Sequence, residues 1–161
     1  MENINIRPVE EKDNKVLASI IKNALTEFNA NKPGTVYFDE STNYLYELFK
    51  NGNGIYNVAE VEHKVMGGAG IYHTDGLDED TCELVKLYLA PAGRGKGIAK
   101  LLMQQCLDKA KQLGYKKIYL ETMPELTVAI PMYEKFGFTY LTGPLGNSGH
   151  NGCDVWMIKI L

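Results

Sequence analysis

The sequence predicts a mixed α/β (α+β) fold of three layers, α/β/α, with helices on both faces of a central mixed sheet. Two observations carry this reading. Segments that alternate apolar and polar residues follow segments with apolar residues at helical spacing, in the order β-α-α-β-β-β-α-β-α-β-β. Midway along that order, the turn Pro91-Ala92-Gly93-Arg94-Gly95-Lys96-Gly97 joins a strand-like run, 83–89, to a helical run, 98–113. The strand after such a helix returns parallel to the one before it, so a right-handed βαβ unit is expected mid-sheet.

Ile4, Ile6 and Pro8 alternate with polar residues as a short first strand. Asp13 or Asn14 is expected to cap a helix carrying Val16, Leu17, Ile20, Ile21, Ala24, Leu25 and Phe28 on one apolar face. Pro33 and Gly34 break the polar stretch after it. A second helix is expected over 41–49, with Tyr44, Leu45, Leu48 and Phe49 inward and Asn51-Gly52-Asn53-Gly54 ending it. Residues 55–61 and 65–72 read as a hairpin around Glu62-His63-Lys64. Gly67, Gly68 and Gly70 mark a bulge or a close backbone contact in its second strand. An acidic loop, 75–80, leads to the strand 82–89. The long helix should bury Ile98, Leu101, Leu102, Cys106, Ala110 and Leu113, with Gly114 as its C-terminal cap. The next strand is 117–121. Pro131 is tolerated only near a helix start, which places Thr127 as the N-cap of the last helix and Gly137 at its end. Strands at 139–141 and 154–160 enclose a glycine-rich loop, 142–152.

At 161 residues the chain fits one domain, 1–161, with room for a substantial core. Apolar residues make up 45% and charged residues 23%, an ordinary globular balance. A net charge of −3 leaves no basic footprint for nucleic acid. No apolar run approaches membrane-spanning length, and the first residues lack the features of a secretory leader. A cytoplasmic protein without a membrane partner is therefore expected. Cys82, Cys106 and Cys153 have no metal-like spacing and cannot all pair, so they read as buried thiols, and no metal site is expected.

The glycine turn is where chemistry enters. A glycine-rich turn opening a helix directs unpaired N–H groups outward, and the helix dipole with Arg94 and Lys96 adds positive potential, which suits a phosphate or pyrophosphate. A Walker A loop fails here, because Ala90 stands where its first glycine belongs and Gly97 where its Ser or Thr belongs. A dinucleotide fingerprint fails too, since Ile98 and Lys100 occupy the third glycine position in its two possible registers. What remains is Arg94-Gly95-Lys96-Gly97-Ile98-Ala99. It resembles the pyrophosphate motif Gln/Arg-x-x-Gly-x-Gly/Ala of the GNAT superfamily, whose members bind acetyl-CoA. A second stretch, Ala129-x-x-x-Tyr133-Glu134-Lys135-Phe136-Gly137-Phe138, is similar to the signature near the GNAT C-terminus. The two stand in family order with one strand between them, and the element order is also the family's. Many relatives carry Asn three residues before the alanine; here that position is Leu126, so its contact with the CoA arm is not carried over.

The resemblance implies a sheet splayed around the cofactor and direct transfer of acetyl from acetyl-CoA, as co-substrate, to a primary amine of a small molecule or peptide. It places the cofactor against the backbone of Leu87, Tyr88 and Leu89 and against Arg94, Gly95, Lys96, Gly97, Ile98 and Ala99. Tyr133 would be the acid toward the leaving thiolate, although Ala129, Met132, Tyr133 and Phe136 also form a stripe that suits core packing. Glu83, early on the strand before the turn, would be the base; the alternative is an exposed carboxylate. His73 could serve instead, and Glu121 reads as structural or substrate-facing. No cysteine is required as nucleophile. In the loop 142–152, His150, with Asn147 and Ser148, would bind the acceptor unless the loop is a mobile surface segment. Two rivals remain: a non-catalytic CoA-binding regulator on the same fold, and a nucleotide-phosphate-binding protein. Such folds often dimerise, so a homodimer is a further expected partner.

Overall fold

The computed structural model describes residues 2–51 and 54–161. Among these residues seven strands form one sheet: β1 (Ile4–Pro8), β2 (Gly54–Val61), β3 (Lys64–Tyr72), β4 (Thr81–Leu89), β5 (Lys117–Thr122), β6 (Thr139–Leu141) and β7 (Val155–Ile160). Their order across the sheet is β1-β2-β3-β4-β5-β7-β6. The β4–β5 pair is parallel, the other neighbours antiparallel. The parallel pair sits mid-sheet, as the strand-helix-strand pattern predicts. Four helices cover the faces: α1 (Asn14–Glu27), α2 (Leu45–Asn51), α3 (Ile98–Gln112) and α4 (Ala129–Lys135). Residues 52 and 53, expected to end the second helix, lie outside the described residues.

Two apolar clusters fill the two sides of the sheet. Leu17, Ile21 and Leu25 of α1 and Leu45 and Phe49 of α2 pack on Tyr56 and Val58. On the other side Ile98, Leu102, Met103 and Cys106 of α3 pack with Ile71, Ile118, Leu120 and Met157, and α4 adds Tyr133. This is the expected three-layer arrangement, driven by burial of one face of each helix.

Several local expectations are corrected. Asp13 precedes α1 but does not cap it. Its carboxylate accepts two bonds from the Arg7 guanidinium and one from the Glu10 N–H. Asn14 instead caps α2 across space, its Oδ1 accepting the Tyr46 N–H at 2.9 Å. The segment 41–49 is not one helix. A 3-10 turn, Glu40–Asn43, precedes α2, and Thr42 there donates its hydroxyl to the Val36 carbonyl. Tyr44, at the break, is exposed, as are Val16, Leu101 and Leu113, which flank the buried stripes of their helices. Met103 and Leu107 take the inward places on α3. Thr127 is not the N-cap of α4, which begins at Ala129; Pro131 is then the third helical residue, where its missing N–H still costs no helical bond.

The feature that positions the site is a bulge in β4. Gly68 pairs with Tyr88, but Gly70 pairs with Val85, so Ala69 faces both Lys86 and Leu87. Lys86 takes a left-handed φ of 53°. For a residue with a Cβ this costs about 1–2 kcal/mol. Tyr56 holds the bulge: its hydroxyl donates to the Lys86 carbonyl at 2.8 Å. Its ring lies where a Cβ on Gly68 or Gly70 would come within 2.5 and 2.8 Å of it, so both glycines are needed. The bulge turns β4 away from β5. Their ladder covers only Thr81, Cys82 and Glu83 against Lys117, Ile118 and Tyr119, whereas β5 stays paired to β7 through Thr122.

Candidate active site

The splay between β4 and β5 opens a cleft of about 160 Å³. Six residues singled out in the sequence line it together: Leu87, Tyr88, Leu89, Arg94, Ala99 and Tyr133. Phe28, just after α1, and Leu126 add apolar wall. Leu126 therefore occupies the cleft without a polar group. A smaller cavity of about 40 Å³ adjoins it and is lined by Glu83 and His150. Lys86, Tyr88, Glu121, Thr122 and Leu126 border both. An elongated ligand with an apolar arm could lie in the larger cavity and meet a polar partner in the smaller one.

The glycine turn stands at the outer end of the cleft. Gly95 and Gly97 have φ of 76° and 78°, and a Cβ on either would meet nothing within 4 Å. They serve backbone conformation and leave the turn's outer side open, rather than making room for protein packing. Arg94 donates to Glu27 at 2.7 Å and to the Leu89 carbonyl at 3.1 Å, and its guanidinium lies over the Phe28 ring. Lys96 pairs with Glu2 at 2.6 Å. The side chain of Ile98 is in the core, so only its backbone faces the turn.

Glu83 is 3% exposed, which removes the alternative of an exposed strand-start carboxylate. It accepts the Thr74 hydroxyl at 2.5 Å. Burial raises its pKa to about 7, because the charged form loses hydration that one hydroxyl does not replace. A base poised near neutrality suits proton abstraction from an ammonium.

His150 is drawn into the same centre by the glycine-rich loop. Its Nε2 lies 2.5 Å from Asp39 and its Nδ1 3.7 Å from Glu121. Burial alone would favour the neutral ring, but Asp39 and Glu121 outweigh it and raise the pKa to about 9. Glu121 accepts the Tyr119 hydroxyl at 2.6 Å and also the Ser148 hydroxyl. Burial would raise its pKa, but His150 first, and then the Ser148 and Tyr119 hydroxyls, outweigh that cost and hold it below the ordinary value. The Leu145 N–H donates to Tyr119, and the Asn147 N–H to the Asp75 carbonyl. The loop is thus hydrogen-bonded to β5 through Tyr119 and Glu121 and to the turn at Asp75. Glu83, Glu121 and His150 place ligand-type atoms within 4.8 Å of one another. In this structure each is engaged by a protein partner: His150 by Asp39, Glu83 by Thr74, and Glu121 by Tyr119 and Ser148.

Tyr133 is buried in the α3-side core and also lines the cleft, so core packing and site placement are not exclusive. Burial raises its pKa, with no hydrogen bond among the described residues to offset it. Cys82, Cys106 and Cys153 are buried free thiols, each with a pKa pushed up to about 12, which makes them poor nucleophiles. His73 lines neither cavity; it stacks edge-on with Tyr115. Sequence reasoning missed Lys86, Asp39 and Thr122. A lone lysine inside the apolar run 84–89 was the available signal for the first; nothing local marked the others.

The sequence profile described as "Acetyltransferase (GNAT) family" matches residues 20–138. The chain belongs to the GNAT acetyltransferase family. This GNAT N-acetyltransferase is 38% identical over 158 residues to the uncharacterized N-acetyltransferase YjgM of Escherichia coli strain K12, covering 97% of this chain and 94% of that relative. The fold matches a GNAT-family acetyltransferase of Staphylococcus aureus Mu50 with a TM-score of 0.87 at 20% identity, over 99% of both chains. It also matches YncA of Salmonella typhimurium, solved with acetyl-CoA, with a TM-score of 0.75 at 22% identity, over 99% of this chain and 94% of that one. No described helix of this GNAT protein is long and apolar enough to cross a membrane.

Proposed function

We propose that this GNAT protein transfers the acetyl group of acetyl-CoA directly to a primary amine of a small molecule or peptide. The observation that carries this reading is the cleft between β4 and β5, with Tyr133 in its wall and Glu83 buried in the adjoining cavity. The likeness to YncA, which was solved with acetyl-CoA, supports the choice of donor. The pantetheine arm would lie along the unpaired edge of Leu87, Tyr88 and Leu89, in the manner of strand addition. Its pyrophosphate would meet the N–H groups of residues 95–99, with Arg94 and Lys96 exchanging their carboxylate partners for phosphate oxygens.

Glu83 takes the amine proton, directly or through water. The amine nitrogen bonds to the carbonyl carbon, and the carbon–sulfur bond breaks. Tyr133 hydrogen-bonds to the departing thiolate and gives it a proton; the nitrogen's proton, held by Glu83, then returns through solvent to the tyrosinate, which restores both groups. A free thiol has a pKa of about 8.5 and a free tyrosine about 10, an uphill transfer. In this cleft the developing thiolate meets the same apolar surroundings that raise the Tyr133 pKa, so the two move together. His150 would hold the acceptor side by fixing Asp39 and Glu121. Release of CoA thiol, followed with acetyl-CoA and a library of primary amines, tests the reading. Tight CoA binding without turnover of any amine would favour a non-catalytic binder.

A further inference from the structure

Lys86 has no role in the steps above, yet its position is costly. It sits at the β4 bulge with a left-handed backbone and is 9% exposed. Burial lowers its pKa; Asp39 and Glu83 act on it only through space, and among the described residues no hydrogen bond to its ammonium offsets the loss of water. The nearby cation, His150, is already held by Asp39 and Glu121. A buried cation left without a direct partner is unfavourable unless a ligand supplies one. A second group is in the same state. Thr122 is buried and its Oγ1 has no hydrogen-bond partner among the described residues. Lys86 and Thr122 both border the larger cleft and the smaller cavity.

An ammonium and a hydroxyl both donate, and a carboxylate accepts from both. The smaller cavity, of about 40 Å³, has room for little more than a compact head group. Its other walls carry Glu83 and Glu121, which suit an amine. An amine alone would face Lys86 with no anion between them. We infer that the acceptor is a small amino carboxylate, its amine directed to Glu83 and its carboxylate bound by Lys86 with Thr122. The inference rests on the amine-acetylation reading and names the acceptor class for the same site.

The test compares free amino acids with their primary amides and with the matching decarboxylated amines, using acetyl-CoA and the full-length protein. For acceptors that are turned over, kcat/KM for the acid should exceed that for the amide by about thirtyfold or more, the usual loss when a buried charge loses its partner. Lys86→Met should remove most of that preference through the acceptor KM, and Lys86→Arg should keep part of it. A retained rise in Tm with CoA shows that the variants fold. Equal kcat/KM for acid and amide in the parent overturns the assignment, as does a preference that survives Lys86→Met. An acetyl group on Lys86 itself after incubation with acetyl-CoA, read by peptide mass spectrometry, also overturns it. If no amine is turned over, the amine-acetylation reading fails separately. Calorimetry of N-acetyl amino acids and their amides on the CoA-loaded protein then decides the carboxylate question. Tighter binding of the acids to the parent, but not to Lys86→Met, supports it; equal or absent binding overturns it.

Discussion

Glu83 and Tyr133 are both buried, and burial acts on them in the same direction for different ends. For the carboxyl it lifts the pKa to about 7, so the charged, proton-accepting form is gained through neutrality. The rate should therefore climb about tenfold per pH unit below that point and level off above it. Glu83→Gln should remove this limb and lower turnover by roughly a hundredfold. A rate–pH profile of the variant that overlays the parent's would take Glu83 out of the chemistry. For the phenol, burial keeps the O–H intact at neutral pH, ready to donate. Tyr133→Phe keeps the ring in its packing and deletes one hydroxyl. Turnover should fall by roughly a hundredfold with acetyl-CoA affinity nearly unchanged, because the lost interaction is made mainly as the thiolate departs. Single-turnover kinetics beside equilibrium CoA binding would separate the two effects.

The elements that make the cleft are the bulged β4 and the turn that follows it. Left-handed φ at Gly95 and Gly97, with open space at each, means that the Cβ of a valine there meets no protein atom within 4 Å. The cost inside the protein is backbone strain, about 1–3 kcal/mol. The larger consequence falls on any group that must approach the turn. Gly95→Val and Gly97→Val should therefore fold with a modestly lower Tm and lose CoA binding. At CoA a hundredfold above its Kd the parent should gain about 2.7 kcal/mol of stability, and the variants almost none. Arg94→Ala should weaken CoA binding less, since backbone N–H groups supply much of the site. Thermal unfolding with and without CoA reads all three.

Across the whole molecule, His150 joins parts of the chain far apart in sequence: the glycine-rich loop, Asp39 between the first two helices, and Glu121 on β5. Its folded pKa, about 9, lies above the ordinary 6.5. The folded state then holds the proton more tightly than the unfolded chain. The resulting stability is fully present below pH 6.5 and is lost as pH rises through about 9. The parent's advantage over His150→Asn in urea unfolding should shrink across that window. Glu83, whose folded pKa is also raised, makes the same sign of contribution lower down. Between pH 4.5 and about 7 the parent should lose stability relative to Glu83→Gln. An advantage over His150→Asn that grew with pH would contradict the clasp.

Much of this architecture is legible in local pattern. Period-2 and helical spacing mark the strands and helices, and the parallel pair follows from one strand-helix-strand connection. The turn at 93–99 announces left-handed glycines, and the two GNAT-like stretches name the family. These features depend on neighbours along the chain, which a sequence displays. Boundaries that depend on partners across space were misread. Asn14 caps a helix other than its own, and Asp13 answers Arg7 instead of a helix end. The acceptor side of the site belongs to the same class. Glu83 looks like any strand-start carboxylate until burial raises its pKa, and Lys86 is an isolated charge in an apolar run until the bulge turns it between two cavities. Asp39, Glu121 and His150 meet only because three separate segments converge. Charge, burial and pairing are set by what surrounds a group, and that was decided by tertiary structure alone.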